Sequence, residues 1–305
     1  MASTAKSLDG ILQAAIADVF DLAQPGVITP RLQYTNIYTF LPTTTRTEEV
    51  QPLGAVSPDD WDTWSKTGNK AKGGIREGFL KTFTQVEHVV QMQIEKSLIQ
   101  QASQNVDVLT QHLGQYRLSL DRKRESDGMS IFTNAFTAGA SAGADAVALC
   151  SASHPISPHD SSTVLDNTGT APLTYANIKA ARTILRNTVD DRNQLLYQDA
   201  NTIIVPNGIS QEADEIINAV AKPGGADNDA NASDDLRVMR LPALSDVNDW
   251  FIVDDAAMRA NCRWYDGIVE TIELPETTTH RLIEMRFDWS FGFIDWRWIY
   301  GNAVA

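Results

Sequence analysis

The sequence predicts an α+β protein built around one long helix and a C-terminal sheet. Three runs of residues carry that prediction. Residues 85–95 alternate, with Val86, His88, Val90, Met92 and Ile94 on one face and Gln85, Glu87, Gln91, Gln93 and Glu95 on the other; Val89 is the apolar exception. That period belongs to a half-buried strand. The apolar spacing then changes to three or four over Leu98, Ala102, Val106, Leu109, Leu113, Tyr116 and Leu120, opposite Gln101, Gln104, Asp107, Gln111 and Gln115. This predicts an amphipathic helix over 97–125, resuming after Gly128 to Phe136, about 40 Å long in its first part and long enough to act as a spine. Near the C-terminus, Met285, Phe287, Trp289, Phe291 and Phe293 alternate with Glu284, Arg286, Asp288, Ser290 and Gly292, after which Ile294, Trp296, Trp298 and Tyr300 become the apolar set. Such a phase flip marks a bulge or a change of partner face.

The other elements follow in chain order. Leu8, Ile11, Leu12, Ala15, Ile16 and Val19 predict a short amphipathic helix over 8–23, ended by Pro25 and Pro30 and too small to form a core of its own. Residues 43–78 mix Pro, Gly and charges with Trp61 and Trp64. A structureless loop of that length is foreign to a compact domain, so a projecting hairpin with a decorated tip is expected. Residues 137–173, rich in Gly, Ala, Ser, Thr, Asp and Pro, read as a loop region. Thr174 is placed to cap a helix carrying Ile178, Ala181, Ile184 and Leu185. A buried strand over 201–205 stops at Pro206, a third helix covers 209–221, and the polar, acidic segment 224–235 reads as an exposed loop.

The chain has 305 residues, 43% hydrophobic and 21% charged, an ordinary globular composition that excludes disorder as its main state. The net charge is −14, from 25 Lys and Arg against 39 Asp and Glu. Such a balance opposes tight binding to nucleic-acid phosphates or an anionic membrane. Two cysteines, Cys150 and Cys262, provide no disulfide framework. Asp9 and Asp18 interrupt the N-terminal apolar run, and the uncharged stretch 128–144 is too short and too rich in small residues to span a bilayer. A soluble protein made in the cytoplasm, without a signal peptide, is expected.

No catalytic constellation emerges. Gly68 and Gly73 have the first spacing of a phosphate loop, but Gly74 and Ile75 stand where Lys and Ser/Thr are needed. Asp227, Asp229 and Asn231 match the first ligands of a calcium loop, yet Ala232 replaces the turn glycine and Val238 the final Glu. Asn231 also opens a glycosylation sequon. Cys150, His154 and His159 fit no common zinc spacing, and a Cys150–His154 nucleophile pair needs geometry beyond the reach of sequence; both read as incidental polar residues of a loop. His88 reads as a satisfied core histidine. The pairs Asp59-Asp60, Asp190-Asp191, Asp234-Asp235 and Asp254-Asp255 read as turn and strand-end acids. No cofactor and no metal are expected.

An N-terminal arm, a projecting hairpin, a spine helix and a C-terminal sheet form the ground plan that resembles the major capsid proteins of tailed bacteriophages. The resemblance is carried by Ala152-Ser153-His154-Pro155 after the spine helix, as in Mu-like major head subunits. Leu173-Thr174-Tyr175-Ala176-Asn177 with Ala180-Ala181-Arg182 follows, then Asp190-Asp191-Arg192-Asn193, Ile203-Ile204-Val205-Pro206, Asp249-Trp250-Phe251-Ile252, Phe287-Asp288-Trp289 and Trp296-Arg297-Trp298. Their order spans residues 30–300.

The resemblance implies an N-terminal arm and lead-in at 1–42, an extended loop at 43–80, a peripheral domain at 81–199 and 263–305, and an axial domain at 200–262. The implied function is structural rather than enzymatic. Hexamers and pentamers of the chain would form an icosahedral phage head around double-stranded DNA held without sequence-specific contacts. A separate scaffolding protein, a portal and a decoration or cement protein are the implied partners, no membrane is involved, and the implied location is the virion, assembled in the host bacterial cytoplasm. The loop-tip residues Trp61, Trp64, Lys66, Lys70, Lys72 and Arg76 are the candidate assembly interface; Lys66, Lys70 and Lys72 are also available for the Lys–Asn crosslinks that some relatives form. Two alternatives are an encapsulin-like nanocompartment shell, with the same fold and a protein cargo, and an α+β enzyme.

Overall fold

The computed structural model describes residues 32–54, 76–95, 97, 106–137, 139, 142–219, 231, 233, 235–273 and 280–304. The predicted helix at 8–23 and the loop tip at 57–74 lie outside them. Two sheets organise the described residues. The first has four strands in the order β1 (Thr39–Pro42), β11 (Cys262–Glu273), β12 (His280–Phe293) and β4 (Val86–Glu95). β1 runs parallel to β11, and the other pairs are antiparallel. The second has five strands in the order β7 (Thr168–Gly169), β13 (Ile299–Asn302), β10 (Trp250–Val253), β8 (Thr202–Val205) and β9 (Arg237–Arg240), with parallel and antiparallel pairs mixed.

The predicted alternation of β4 is present: Met92 and Ile94 are buried, His88 and Val90 half-buried, and Glu87, Gln91, Gln93 and Glu95 exposed. Two residues depart from it. Val86 is exposed, and Gln85, expected on the polar face, is buried at the foot of the strand.

The spine helix α1 runs Val106–Thr133, 28 residues and about 42 Å, without the expected interruption at Gly128. Gly128 is there for space. A Cβ at that position would lie 2.6 Å from Tyr34 Cβ, and its carbonyl accepts a 2.7 Å hydrogen bond from the Tyr38 hydroxyl. The lead-in segment, with a 3-10 turn at Tyr34–Asn36, therefore lies directly on the helix. Glu125 on α1 accepts the backbone N–H groups of Gln33 and Tyr34, which fixes the entry of that segment.

The region 137–173, expected to be loop, contains three strands. β5 (His154–Ser157) and β6 (Asp160–Leu165) form a short antiparallel pair, and β7 joins the second sheet. Small polar residues hid the pattern, because the pairing is stabilised from outside: the buried Asn167 side chain donates to the carbonyls of Leu149 and Ile299.

Helix α2 (Tyr175–Arg186) starts as predicted, with Thr174 Oγ1 accepting the Asn177 N–H. Its buried face is Ile178, Ala181, Arg182 and Leu185; Ile184, expected in the core, is 41% exposed. Helix α3 (Ser210–Asn218) is followed by a segment that is not simply an exposed loop, since Asn231 and Ser233 are buried. Asn231 donates to the carbonyls of Ile216, Ile217 and Ala219, and so satisfies the orphan acceptors at the end of α3. Asp254 caps α4 (Asp255–Asn261) through the N–H groups of Ala256 and Ala257.

The phase flip after Phe293 is a change of sheet. β12 ends there, the chain crosses with Ile294, Trp296 and Trp298 buried, and β13 enters the second sheet between β7 and β10. The strand at 299–302 thus pairs with 250–253, although 292 and 293 pair with the start of β11.

The main core lies between the sheets and the end of α1. It joins Tyr38, Met129, Phe132, Trp264, Trp289 and Trp298 with Ile204, Phe251 and Val253 of the second sheet. A second core, on the far face of that sheet, joins Ile203, Val205, Trp250 and Ile252 to α2 and α3.

Candidate functional site

The candidate interface sits at the end of a hairpin whose root is well built. β2 (Thr47–Val50) pairs antiparallel with β3 (Lys81–Thr84). The ladder continues outward: Gly78 N–H donates to Pro52 O at 2.8 Å, Leu53 bridges to Glu77, and Gly54 N–H donates to Arg76 O at 2.7 Å. Of the six tip residues, Arg76 is exposed on this stem and contributes its carbonyl to the ladder. Trp61, Trp64, Lys66, Lys70 and Lys72 lie outside the described residues, as do the phosphate-loop-like glycines Gly68 and Gly73. Beneath the stem is a cavity of about 250 Å³ whose lining includes Leu53, Phe79, Ile156, Leu196 and Trp296. Leu53 is 68% exposed and Leu196, which also lines the cavity, is 37% exposed, so this flank presents apolar side chains outward.

The groups weighed for chemistry resolve into structural roles. Cys150 is buried, burial raises its thiol well above the ordinary value, and the backbone of Gly301 is packed against its sulfur. That is an inert core thiol rather than a nucleophile. His154 is not an incidental loop residue. It is fully buried, its Nδ1 lies 2.6 Å from Asp145 Oδ2, and its ring stacks on Trp296 at 4.1 Å. His88 stacks on Trp289 at 3.7 Å and lies 4.0 Å from the Asp127 carboxylate; burial pulls its pKa down, and Asp127 partly offsets the shift. Among the described residues, no three His, Cys, Asp or Glu side chains converge in a metal-binding group.

The acid pairs divide between turn, cap and ion-pair roles. Asp190 Oδ1 accepts from the N–H groups of Arg192 and Gln194, Asp254 is the α4 cap, and Asp255 pairs with Arg259 and Arg237. Asp235 forms an ion pair with Arg182, whose side chain is 9% exposed and also reaches Asp199. Sequence reading passed over this network. Its only sequence signal is an Arg at the i+4 position from Ile178, on the apolar face of α2. Asn231, a candidate calcium ligand or glycosylation acceptor, serves instead as the buried cap of α3. Asp227, Asp229, Asp234 and the Asp59-Asp60 pair lie outside the described residues. No described helix is long and apolar enough to cross a membrane.

The described residues thus offer a built hairpin, exposed apolar flanks and a polar network that serves packing. Comparison with known proteins agrees with that picture. No curated protein sequence matches the chain. Among solved structures, the capsid of the cyanophage P-SCSP1u aligns at 10% identity over 94% of this chain and 94% of that chain, with a TM-score of 0.57. The mature capsid of bacteriophage PhiM1 aligns at 9% identity over 93% and 90%, with a TM-score of 0.55. A structure from Microbacterium phage Oxtober96 aligns at 12% identity over 93% and 95%, with a TM-score of 0.54. At such identities the likeness establishes a shared fold. Residues 93–302, which include α1 and every strand of the five-stranded sheet, match the family model described as phage capsid protein, and with more than half of its length matched the chain belongs to that family.

Proposed function

We propose that this chain is the major subunit of a tailed-phage head, forming hexamers and pentamers that close into an icosahedral shell around double-stranded DNA. The observation that supports this most is the family match over 93–302, because it covers the spine helix, the five-stranded sheet and the two longest strands of the other sheet rather than one motif. The net charge of −14 agrees with a container that does not grip its cargo. Residues 1–42 act as the arm, 43–80 as the extended loop, 81–199 with 263–305 as the peripheral domain and 200–262 as the axial domain; the terminal strand 299–302 ties the two domains together by pairing with 250–253. The tip residues Trp61, Trp64, Lys66, Lys70, Lys72 and Arg76 contact a neighbouring copy. A separate scaffolding protein, a portal and a cement protein are the expected partners, and assembly takes place in the host cytoplasm before the subunit resides in the virion.

Negative-stain microscopy with light scattering on the purified chain, with and without the scaffold, tests this reading. Closed shells or capsomers are expected. A monomer that persists across salt and crowding conditions with scaffold present would overturn it. Nucleic acid in particles isolated from infected cells distinguishes a phage head from a nanocompartment shell, which would carry protein cargo.

A further inference from the structure

The five-stranded sheet ends at β9, which pairs only with β8, in parallel, with Arg237 opposite Thr202 and Arg240 opposite Val205. Arg237 N–H donates to Asn201 O and Leu241 N–H to Val205 O, both at 2.9 Å. Backbone polar groups along a strand point alternately to its two sides, so residues 237, 239 and 241 turn theirs to β8. Val238 and Arg240 turn their N–H and C=O outward, where they meet no hydrogen-bond partner among the described residues. A free edge of this kind is a template for another strand unless it is covered or blunted. The two arginines of β9 do not cover it: Arg240 pairs with Asp214 on α3, and Arg237 with Asp255 on α4.

Beside this edge is a groove of about 850 Å³ whose lining joins β9 to the lead-in segment and the spine: Val238, Met239 and Arg240 with Gln33, Asn36 and Glu125. Glu125 on α1 takes the Gln33 N–H at 3.0 Å, so the chain enters the described structure at the groove itself, with residues 1–31 before it. The residues that precede this entry read Gln24-Pro-Gly-Val-Ile-Thr-Pro-Arg31. Val27, Ile28 and Thr29 are three β-branched residues in a row, the type that fits a strand, and Pro25-Gly26 and Pro30 bound them. Four residues of extended chain reach about 14 Å, which brings Thr29 from Gln33 along the groove.

We propose that residues 27–29 of the same chain add a sixth, edge strand to this sheet by pairing with the outward backbone groups of Val238 and Arg240. Strand addition takes its affinity from main-chain hydrogen bonds and needs only an extended segment within reach of a free edge. The own chain is the occupant the structure favours, because its entry at Gln33 holds the segment beside the edge at high effective concentration. The added strand would tie the N-terminal arm to the axial sheet and to α1 within one subunit, and so set the direction of the arm before a neighbouring copy is met. It is a property of the single subunit and stands or falls independently of shell assembly.

The test uses the full chain as dilute, unassembled subunits and reads amide hydrogen exchange residue by residue. The Val238 and Arg240 amides should be protected to the level of Met239, whose N–H faces β8. Val27→Pro, Ile28→Pro and Thr29→Pro introduced together remove every donor of the segment; they should speed exchange at Val238 and Arg240 by about a hundredfold or more and leave Met239 unchanged. A second measurement pairs a cysteine at 27, 28 or 29 with one at 238 or 240, since facing residues of adjacent strands lie close enough to bridge. Cys150 and Cys262 are buried and do not compete. At least one pair should oxidise to a disulfide within the monomer. Fast exchange at Val238 and Arg240 in the unsubstituted subunit, or protection that survives the triple proline variant, would overturn the proposal. Disulfides that form only between copies would assign the edge to a second subunit instead, and would overturn it too.

Discussion

The two sheets bury apolar surface in different ways, and the difference sets how each reads and how each fails. The four-stranded sheet is long-stranded and one-sided. β4, β11 and β12 have 10, 12 and 14 residues, with Met285, Phe287 and Trp289 turned to α1 and the main core, and Gln91, Arg286 and Glu284 on the opposite face. The five-stranded sheet is short-stranded and two-sided. In β8 and β10 all four residues are buried, with Ile204, Phe251 and Val253 facing the main core and Ile203, Val205, Trp250 and Ile252 facing α2 and α3. One-sided burial tolerates polar groups at every second position. Two-sided burial makes such groups rare, as expected of sheets covered on both faces, and the buried Thr202 and Asn302 are each hydrogen-bonded, to Asn201 and to the Ala171 N–H.

Substitutions at matched positions should break or sharpen this contrast. Phe251→Ala removes a fully buried ring from the two-sided sheet, where it touches Phe132 and Phe136. A loss of about 3–5 kcal/mol is expected, a large share of a domain's total of about 5–15 kcal/mol. Soluble yield and urea denaturation should show a subunit that is mostly insoluble or much weakened. Phe291→Asp tests the one-sided sheet, where the ring is only half-buried and stacks on Trp264 at 5.2 Å. The cost should be smaller, about 2–3 kcal/mol, because the new carboxylate keeps some access to water. If Phe291→Asp proves the more damaging of the two, the contrast between the sheets is wrong.

A smaller effect is expected where polar contacts hold the two-sided body together. Hydrogen bonds from Arg186 and then Arg182 hold Asp199 below its ordinary value of 3.8, and the Arg182 hydrogen bond does the same for Asp235. Folded values below the unfolded one mean that this stabilisation is complete above 3.8 and is lost as the pH falls through the folded values. Both carboxylates are more than half exposed, so the effect is discounted: Arg182→Leu should cost about 1 kcal/mol near neutrality. The gap from the parent protein should close below pH 3.8 in urea titrations. A gap that widens on acidification would show that the pair does not act through its charge.

The smallest effect on folding, and the largest on assembly, should come from the hairpin tip. Changing Lys66, Lys70 and Lys72 together to Glu should leave the urea midpoint of the subunit nearly unchanged, with each ion pair at such a tip worth about 0–1 kcal/mol. Particle yield should fall and depend on salt, since weak contacts repeat around a shell and are screened. Normal assembly of the triple variant at low and high salt would remove the tip from the interface.

The sequence by itself determined the one-sided elements. Strict alternation placed β4 and β12, helical spacing placed the spine, and Thr174 started α2, because each of these signals is local and one face of each element remains polar. The resemblance rested on that ground plan and on the ordered segments from Ala152 to Trp298, and the family match over 93–302 agrees with it. The tertiary structure decided everything that depends on a partner far along the chain. Gly128 continues a helix because Tyr34 needs the space, and Asn167 organises a polar segment by reaching Leu149 and Ile299. Asn231 is buried because α3 needs a cap, and Arg182 is in the core because Asp199 and Asp235 come to meet it. The chain also leaves one sheet after Phe293 and enters the other. A local pattern records which side of a segment is apolar; it holds no information about which distant donor or acceptor will satisfy a polar group once that group is buried.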